Sequence, residues 1–259
     1  MIGRYRFSGS VRAEESAFFE ENGFVIYEGF IDPDEVARIT ADADRYQDLL
    51  RNGEIPEAMV DKAIPGARDA RGRIAYQHRL NYFTKQSETA ARIAESPAME
   101  AIRTGIGGVG HRILQNSLNG VVWQLKSGGS RSGYSRIRWH ADFPLGHALS
   151  PAFTAGIYLD DSNRFNGCLA VIPGSHRKPV GPVTKEPFYV EVRAGDLVCH
   201  HEWIYHGSEA MPRQDDRRAT LYFYHCAGLE SDEPSDAAEY EQIAAAGTLF
   251  VSAETEEKA

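Results

Sequence analysis

From about residue 110 the chain breaks into short runs of β-forming residues separated by turn formers: "NGVVWQLKSGG", "AFTAGIYLDD", "CLAVIPGSH", "FYVEVRAGDLVCH" and "RATLYFYH". Each run is rich in Val, Ile, Leu, Tyr, Phe or Thr, and Gly, Asp, Asn or Pro punctuates the series. Strands this short bury a face only against another sheet. Many of them in one continuous stretch predict a sandwich or a barrel.

The preceding part reads differently. "AEESAFFEENGF" (Ala13–Phe24) sets Ala17, Phe18 and Phe19 on one side and acids elsewhere, with Gly23 as a stop, which predicts a helix. A short strand follows over Phe24–Phe30. Asp32 and Pro33 are an N-cap and a first-turn proline, and Val36, Ile39, Ala43 and Leu49 keep helical spacing to about Leu50. "IPGARDARGR" (Ile64–Arg73) is a charged Gly/Pro loop. A third helix is expected over Ser87–Arg103, interrupted near Pro97. No repeat or linker divides the chain. One domain is expected over 1–259, with a mostly helical layer over 1–108, a β core over 109–228 and a C-terminal extension over 229–259 whose acidic end frays.

Charge and composition narrow the partners. The net charge of −9 disfavours nucleic acid and other polyanions, leaving a small molecule as the expected partner. No run of eighteen apolar residues marks a membrane span, and "MIGRYRFSGS" has no apolar leader segment. Cys168, Cys199 and Cys226 are odd in number and lack CxxC spacing, so neither a disulfide framework nor a cysteine zinc site is expected. A cytoplasmic protein fits these features.

The chemistry-bearing feature is "RWHADFPLGH" (Arg138–His147). In a strand, side chains two apart share a face, so His140 and Asp142 would project together as an imidazole and a carboxylate. His206, 64 residues after Asp142 and followed by Gly-Ser, is the best third ligand. Two histidines and one carboxylate on one side of a metal leave positions open, which suits Fe(II) that binds a co-substrate and dioxygen together. An isolated His-x-Asp is a surface accident in most chains, and His140 can instead satisfy the core. Arg217, eleven residues after His206, opens a run of β-forming residues. Turned inward it lacks a partner that a dicarboxylate would supply; turned outward it pairs with Asp215 or Asp216.

Taken together, "WHAD" (Trp139–Asp142), "NGCLAVIPGSH" (Asn166–His176), "AGDLVCHHEWIYHGS" (Ala194–Ser208), "RRA" (Arg217–Ala219) and the opening "FFEENGFVIYEGFIDPDEV" resemble the phytanoyl-CoA dioxygenase family of Fe(II)/2-oxoglutarate-dependent oxygenases, in order, from about residue 14 to 225. The resemblance implies a mainly β fold with flanking helices (α+β): a double-stranded β-helix, the cupin-like jelly roll, with iron at one mouth. It implies His140, Asp142 and His206 as metal ligands and catalytic centre. Arg217, favoured over Arg218 by its R-x-A context, would hold the distal carboxylate of 2-oxoglutarate with help from Ser208. Gln124 and Thr154 fall near the co-substrate, and His78, Phe143 and His147 are candidate substrate contacts. His201 is read as supporting the ligands or the structure and His176 as bonding backbone, while His200 and His225 carry no assigned role. The cofactors implied are Fe(II), 2-oxoglutarate and O2. The implied reaction is hydroxylation, desaturation, cyclisation or epimerisation of a small organic molecule or natural-product intermediate, releasing succinate and CO2. Asp142 speaks against halogenation, because related halogenases have glycine or alanine there. The alternatives are a non-catalytic jelly-roll binding protein and a cupin-like metalloenzyme independent of 2-oxoglutarate.

Overall fold

Gly23 ends the first helix by adopting φ 79°, a left-handed cap that returns its N–H to the Phe19 carbonyl at 2.7 Å. The second helix starts on a reciprocal cap. Asp32 accepts from the Glu35 N–H at 2.8 Å, and Glu35 accepts from the Asp32 N–H at 3.3 Å. The third expected helix is two, because Pro97 has no N–H to continue the first; Ser87 and Ser96 cap the two pieces.

These elements belong to a computed structural model that describes residues 3–54, 66–68, 71–115, 120–128, 134–143, 145–177, 186–213 and 216–228. In chain order they are β1 (Arg4–Arg6), α1 (Ala13–Asn22), β2 (Phe24–Glu28), α2 (Pro33–Asn52), β3 (Ala67–Arg68), β4 (Ile74–Tyr76), β5 (Arg79–Leu80), α3 (Glu88–Ala94), α4 (Pro97–Ile102), β6 (Arg112–Ile113), β7 (Val122–Ser127), β8 (Ile137–His140), β9 (Ala152–Tyr158), β10 (Leu169–Val171), β11 (Phe188–Val190), β12 (Leu197–His201), β13 (His206–Ser208) and β14 (Arg217–Cys226). The C-terminal extension over 229–259 with its acidic end, Asp215, and parts of the loops over 64–73, 129–133 and 178–185 lie outside the described residues.

Two sheets make the jelly roll. The large one runs β1-β2-β12-β9-β14-β7-β5, with β6 beside β14; the small one runs β11-β10-β13-β8. The N-terminal hundred residues therefore supply both ends of the large sheet, β1 and β2 on one side and β5 on the other, as well as the helices.

The two faces of the large sheet differ chemically. Ala219, Leu221 and Phe223 of β14 pack against Ile39, Ala43, Tyr46, Met99 and Ile102 of the helical layer. Side chains alternate along a strand, so Arg218, Thr220, Tyr222 and Tyr224 face the small sheet. On the same inner side, Tyr158 and Val198 meet Leu169 and Val171 in a second apolar cluster. The inner face thus holds buried Gln124, Lys126, Thr154, His200, Arg218 and Thr220 beside an apolar floor. All three cysteines are buried and unbonded. Among the described residues no helix is long and apolar enough to cross a membrane.

Candidate metal centre

His140 ends β8 and His206 begins β13, and the antiparallel register sets them directly opposite each other. Opposite residues on neighbouring strands share a face, which brings the two rings to 4.3 Å between centroids. Asp142 arrives by another route than strand alternation. The strand stops at His140, and Asp142 lies in the next turn, its N–H held by the Glu202 carbonyl at 3.0 Å. There Asp142 Oδ1 is 3.5 Å from Nε2 of both His140 and His206. The three donor atoms lie within 4.8 Å of one another.

The backbone fixes which imidazole nitrogens face inward. His140 Nδ1 is 2.7 Å from the Arg138 carbonyl, and His206 Nδ1 is 2.9 Å from that of Ile204. A carbonyl only accepts, so each Nδ1 carries a proton and, in the neutral ring, Nε2 presents its lone pair. Burial, reinforced by His140, pushes His206 down to about 3. Burial alone would raise the Asp142 carboxyl, but His206, His140 and His200 outweigh it and hold the group well below the usual carboxylate range. An ionised carboxylate and two imidazole lone pairs therefore converge on one point. That arrangement repels itself unless a cation sits among the donors, and a borderline divalent metal suits the N,N,O set.

Deeper in the barrel are two buried cations. Lys126 donates to the Gly167 carbonyl at 2.9 Å, to Ser208 Oγ at 2.8 Å and to the Glu209 carbonyl. Arg218, 3% exposed, donates to Ser162 Oγ at 3.1 Å and lies over the Tyr158 ring. Its Nε is buried with no protein hydrogen-bond partner, and among the described residues neither cation has a carboxylate partner. Ser208 Oγ accepts from Lys126 and from the Ile137 N–H at 3.2 Å, so its own proton remains to be donated. A buried guanidinium and a buried amine without carboxylate partners, beside a spare hydroxyl proton, suit an anion.

The model of the phytanoyl-CoA dioxygenase family matches residues 19–219, a span that takes in His140, Asp142, His206 and Arg218. The chain belongs to this family. Among curated relatives, the ectoine dioxygenase of Bordetella parapertussis is 25% identical over 192 residues, covering 72% of this chain and 56% of that protein. The chain thus spans little more than half that relative's length. The peroxisomal phytanoyl-CoA dioxygenase of Rattus norvegicus is 26% identical over 243 residues, covering 82% and 67%. Among solved structures, the non-heme alpha-ketoglutarate-dependent epimerase from nogalamycin biosynthesis aligns with TM-score 0.63 at 25% identity, covering 81% of this chain and 80% of that one. EctD from S. alaskensis with bound Fe aligns with TM-score 0.66 at 19% identity, covering 87% and 81%, a likeness of fold.

Within this phytanoyl-CoA dioxygenase family member, several residues sit elsewhere than their sequence context suggests. Arg217 is exposed; it shares the face of Ala219, whose packing on the helical layer leaves Arg218 as the inward arginine. His147 is buried rather than lining a loop. Its Nδ1 accepts from the Leu149 N–H at 3.1 Å, so Nε2–H faces Glu202, whose other oxygen accepts from Ser150 at 2.8 Å. Phe143 stacks on His147 and packs with Leu114, Leu149 and Ala152, so it is a core residue of the loop's base. His78 is buried with Nδ1 against the Leu125 carbonyl at 3.1 Å, its ring near Tyr76 and Tyr134. Its neighbour Arg79 is the one that crosses to the inner face, donating to Tyr224 Oη at 3.0 Å. Gln124 lies on that inner face opposite Thr220 and two residues from Lys126.

The remaining histidines divide by face. His176 bonds the Glu20 carbonyl at 3.1 Å and packs on His201, which accepts from the Trp203 N–H at 3.1 Å. His225 stacks on Phe153 at 4.5 Å. His200 is the histidine that reaches the centre, with Nε2 3.1 Å from Asp142 Oδ2. Thr154 donates to the same oxygen at 3.1 Å. The signal for His200 was in β12: Leu197 and Cys199 join the helical-side core, so Val198 and His200 alternate inward.

Proposed function

We propose that this chain is an Fe(II)- and 2-oxoglutarate-dependent oxygenase acting on a small organic molecule. The observation that carries the reading is the convergence of an ionised carboxylate and two imidazole lone pairs, on the same inner side as buried Arg218, which has no carboxylate partner among the described residues. His140, His206 and Asp142 would hold the metal. Arg218 would fork onto the distal carboxylate of 2-oxoglutarate, and Ser208 would donate its remaining proton to it. When bound, the metal and co-substrate supply oxidising power from O2, the co-substrate leaving as succinate and CO2. The protein contributes placement and dryness: Tyr158, Leu169, Val171 and Val198 close the floor against water. No side-chain acid or base is required at the centre.

Tyr222, Tyr224 and Arg79 face the inner side of the mouth, which favours a small polar or ring-bearing substrate over a long apolar chain. Relatives named as an ectoine dioxygenase and as an epimerase of nogalamycin biosynthesis support hydroxylation, or another oxidation such as desaturation, cyclisation or epimerisation, of a natural-product intermediate. The test is anaerobic addition of Fe(II) and then 2-oxoglutarate. A visible charge-transfer band that needs both, followed by succinate formation on admitting O2, is expected. Metal binding with no response to 2-oxoglutarate would point to a different metalloenzyme.

Lys126 makes the co-substrate affinity depend on pH. Burial, reinforced by Arg218, pushes its ammonium down to about 7. A bound dianion favours the charged form, so binding takes up a proton once the free protein has lost it. Affinity for 2-oxoglutarate should therefore fall as pH rises above about 7, by up to roughly tenfold per unit, until the ammonium of the complex also titrates. Dissociation constants measured anaerobically from neutral pH into the alkaline range check this. Lys126→Met should weaken binding and flatten the profile.

A further inference from the structure

The two oxygens of Asp142 have separate partners. Oδ1 faces His140 and His206, while Oδ2 accepts from His200 Nε2 at 3.1 Å and Thr154 Oγ1 at 3.1 Å. His200 of β12 and Thr154 of β9 are directly opposite each other in the large sheet. Both are buried, 4% and 2% exposed, and both point inward. Asp142 belongs to the turn leaving the small sheet, and its N–H is held by Glu202 at the end of β12. The carboxylate is thus gripped at its backbone and at one oxygen by the opposite sheet.

We infer that His200 is a positioning residue, acting with Thr154 to keep Asp142 a one-oxygen ligand. This rests on the metal reading above and goes beyond it. A carboxylate left to itself can chelate a divalent ion through both oxygens. Here chelation by Oδ2 requires breaking two hydrogen bonds to an ionised group in a sheltered site, and such bonds are the strong ones. Two protein nitrogens and one oxygen leave three positions of an octahedron. A co-substrate chelating the metal would use two, so a second oxygen from Asp142 would take up the remaining one. His200 acts through Asp142 and touches no reacting atom.

Cobalt(II) provides a readout independent of turnover, because its visible absorption responds to the number and kind of its ligands. The experiment compares wild type, His200→Phe, His200→Gln and Thr154→Val, each loaded with Co(II) and 2-oxoglutarate, and in parallel with Fe(II), substrate-free, for O2 consumption. In His200→Phe the cobalt spectrum should depart from the wild-type form, because a second carboxylate oxygen would take the place of water, and the O2 rate should fall by roughly tenfold or more, the scale of one lost charge-assisted hydrogen bond. The metal and 2-oxoglutarate dissociation constants should stay within a few-fold. His200→Gln, which keeps an N–H donor, should restore much of both, and Thr154→Val should reproduce the phenylalanine effect in weaker form. If His200→Phe does not fold, Thr154→Val against Thr154→Ser carries the same comparison. Wild-type spectra and O2 rates in the folded variants would overturn the inference and leave the metal assignment intact. Failure of the wild-type protein to bind cobalt at all would overturn both.

Discussion

Arg218→Ala is expected to raise the dissociation constant for 2-oxoglutarate by roughly 30–150-fold, while Arg217→Ala leaves it within about twofold. A bidentate, charge-assisted contact in a buried pocket is worth on the order of 2–3 kcal/mol, which sets the first figure. Arg217 is exposed at the start of β14, where a solvated charge contributes about 0–1 kcal/mol at most. Arg218 also helps to depress the Lys126 ammonium. Its loss lets Lys126 hold its proton to higher pH, so the observed penalty should lie toward the lower end of the range and shrink as pH rises above about 7, where wild type loses the Lys126 charge first. Arg218→Lys should not rescue fully, because an ammonium cannot present the planar fork. Anaerobic titration of 2-oxoglutarate into the Fe(II)-loaded variants measures all three. A larger effect at Arg217 would mean that β14 runs in the opposite phase from the one described.

His206→Ala should weaken Fe(II) binding by roughly 100–1000-fold and abolish 2-oxoglutarate-dependent O2 consumption at micromolar iron. A structural zinc site is worth about 10–16 kcal/mol over four ligands, so one ligand of such a set accounts for about a quarter of that. The fold should survive. The ring makes one hydrogen bond to the backbone, through Nδ1 to Ile204, and its Nε2 faces an ionised carboxylate that repels its lone pair. Removing the ring relieves that repulsion and offsets part of the cavity left behind. Circular dichroism should match wild type, with the melting temperature of the metal-free protein changed by a few degrees. Full Fe(II)-dependent activity in His206→Ala would remove His206 from the ligand set. His201→Ala is the control: His201 packs between Phe19 and His176 on the helical side, so its loss should cost stability and leave iron affinity near wild type.

The jelly roll was legible because its strands are short, crowded and bounded by turn formers, and because the helical caps at Gly23 and Asp32 are local in sequence. The convergence of His140, Asp142 and His206 was legible from residue type and order. What the residues did not reveal was phase and long-range pairing. "RRATLYFYHC" is apolar or aromatic on both faces, so either arginine can begin the inward set; the choice is made by Ala219, Leu221 and Phe223 meeting helices far away in sequence. Read closely, the Thr220-Tyr222-Tyr224 set carries polar tips and its alternate does not, and that difference marks the inner face. His147 reads as a substrate contact because Glu202, its partner, lies 55 positions on. Asp142 shares a side with His140 through a turn pinned by Glu202, an outcome that strand periodicity reaches by a different route.

The grip on Asp142 has a mechanical consequence. His140 and His206 ride on the small sheet, Asp142 on the turn leaving it, and the hands that hold Asp142 belong to the large sheet. A cation held by the first set would therefore be latched to the second, so parting the two sheets here would loosen the ion, and losing the ion would slacken the sheets. Opening and release become one linked equilibrium. Saturation at a thousand times the dissociation constant would add about 4 kcal/mol against unfolding. The melting temperature then serves as an iron gauge, and a protein stripped of metal should first yield to a protease near the turn that carries Asp142.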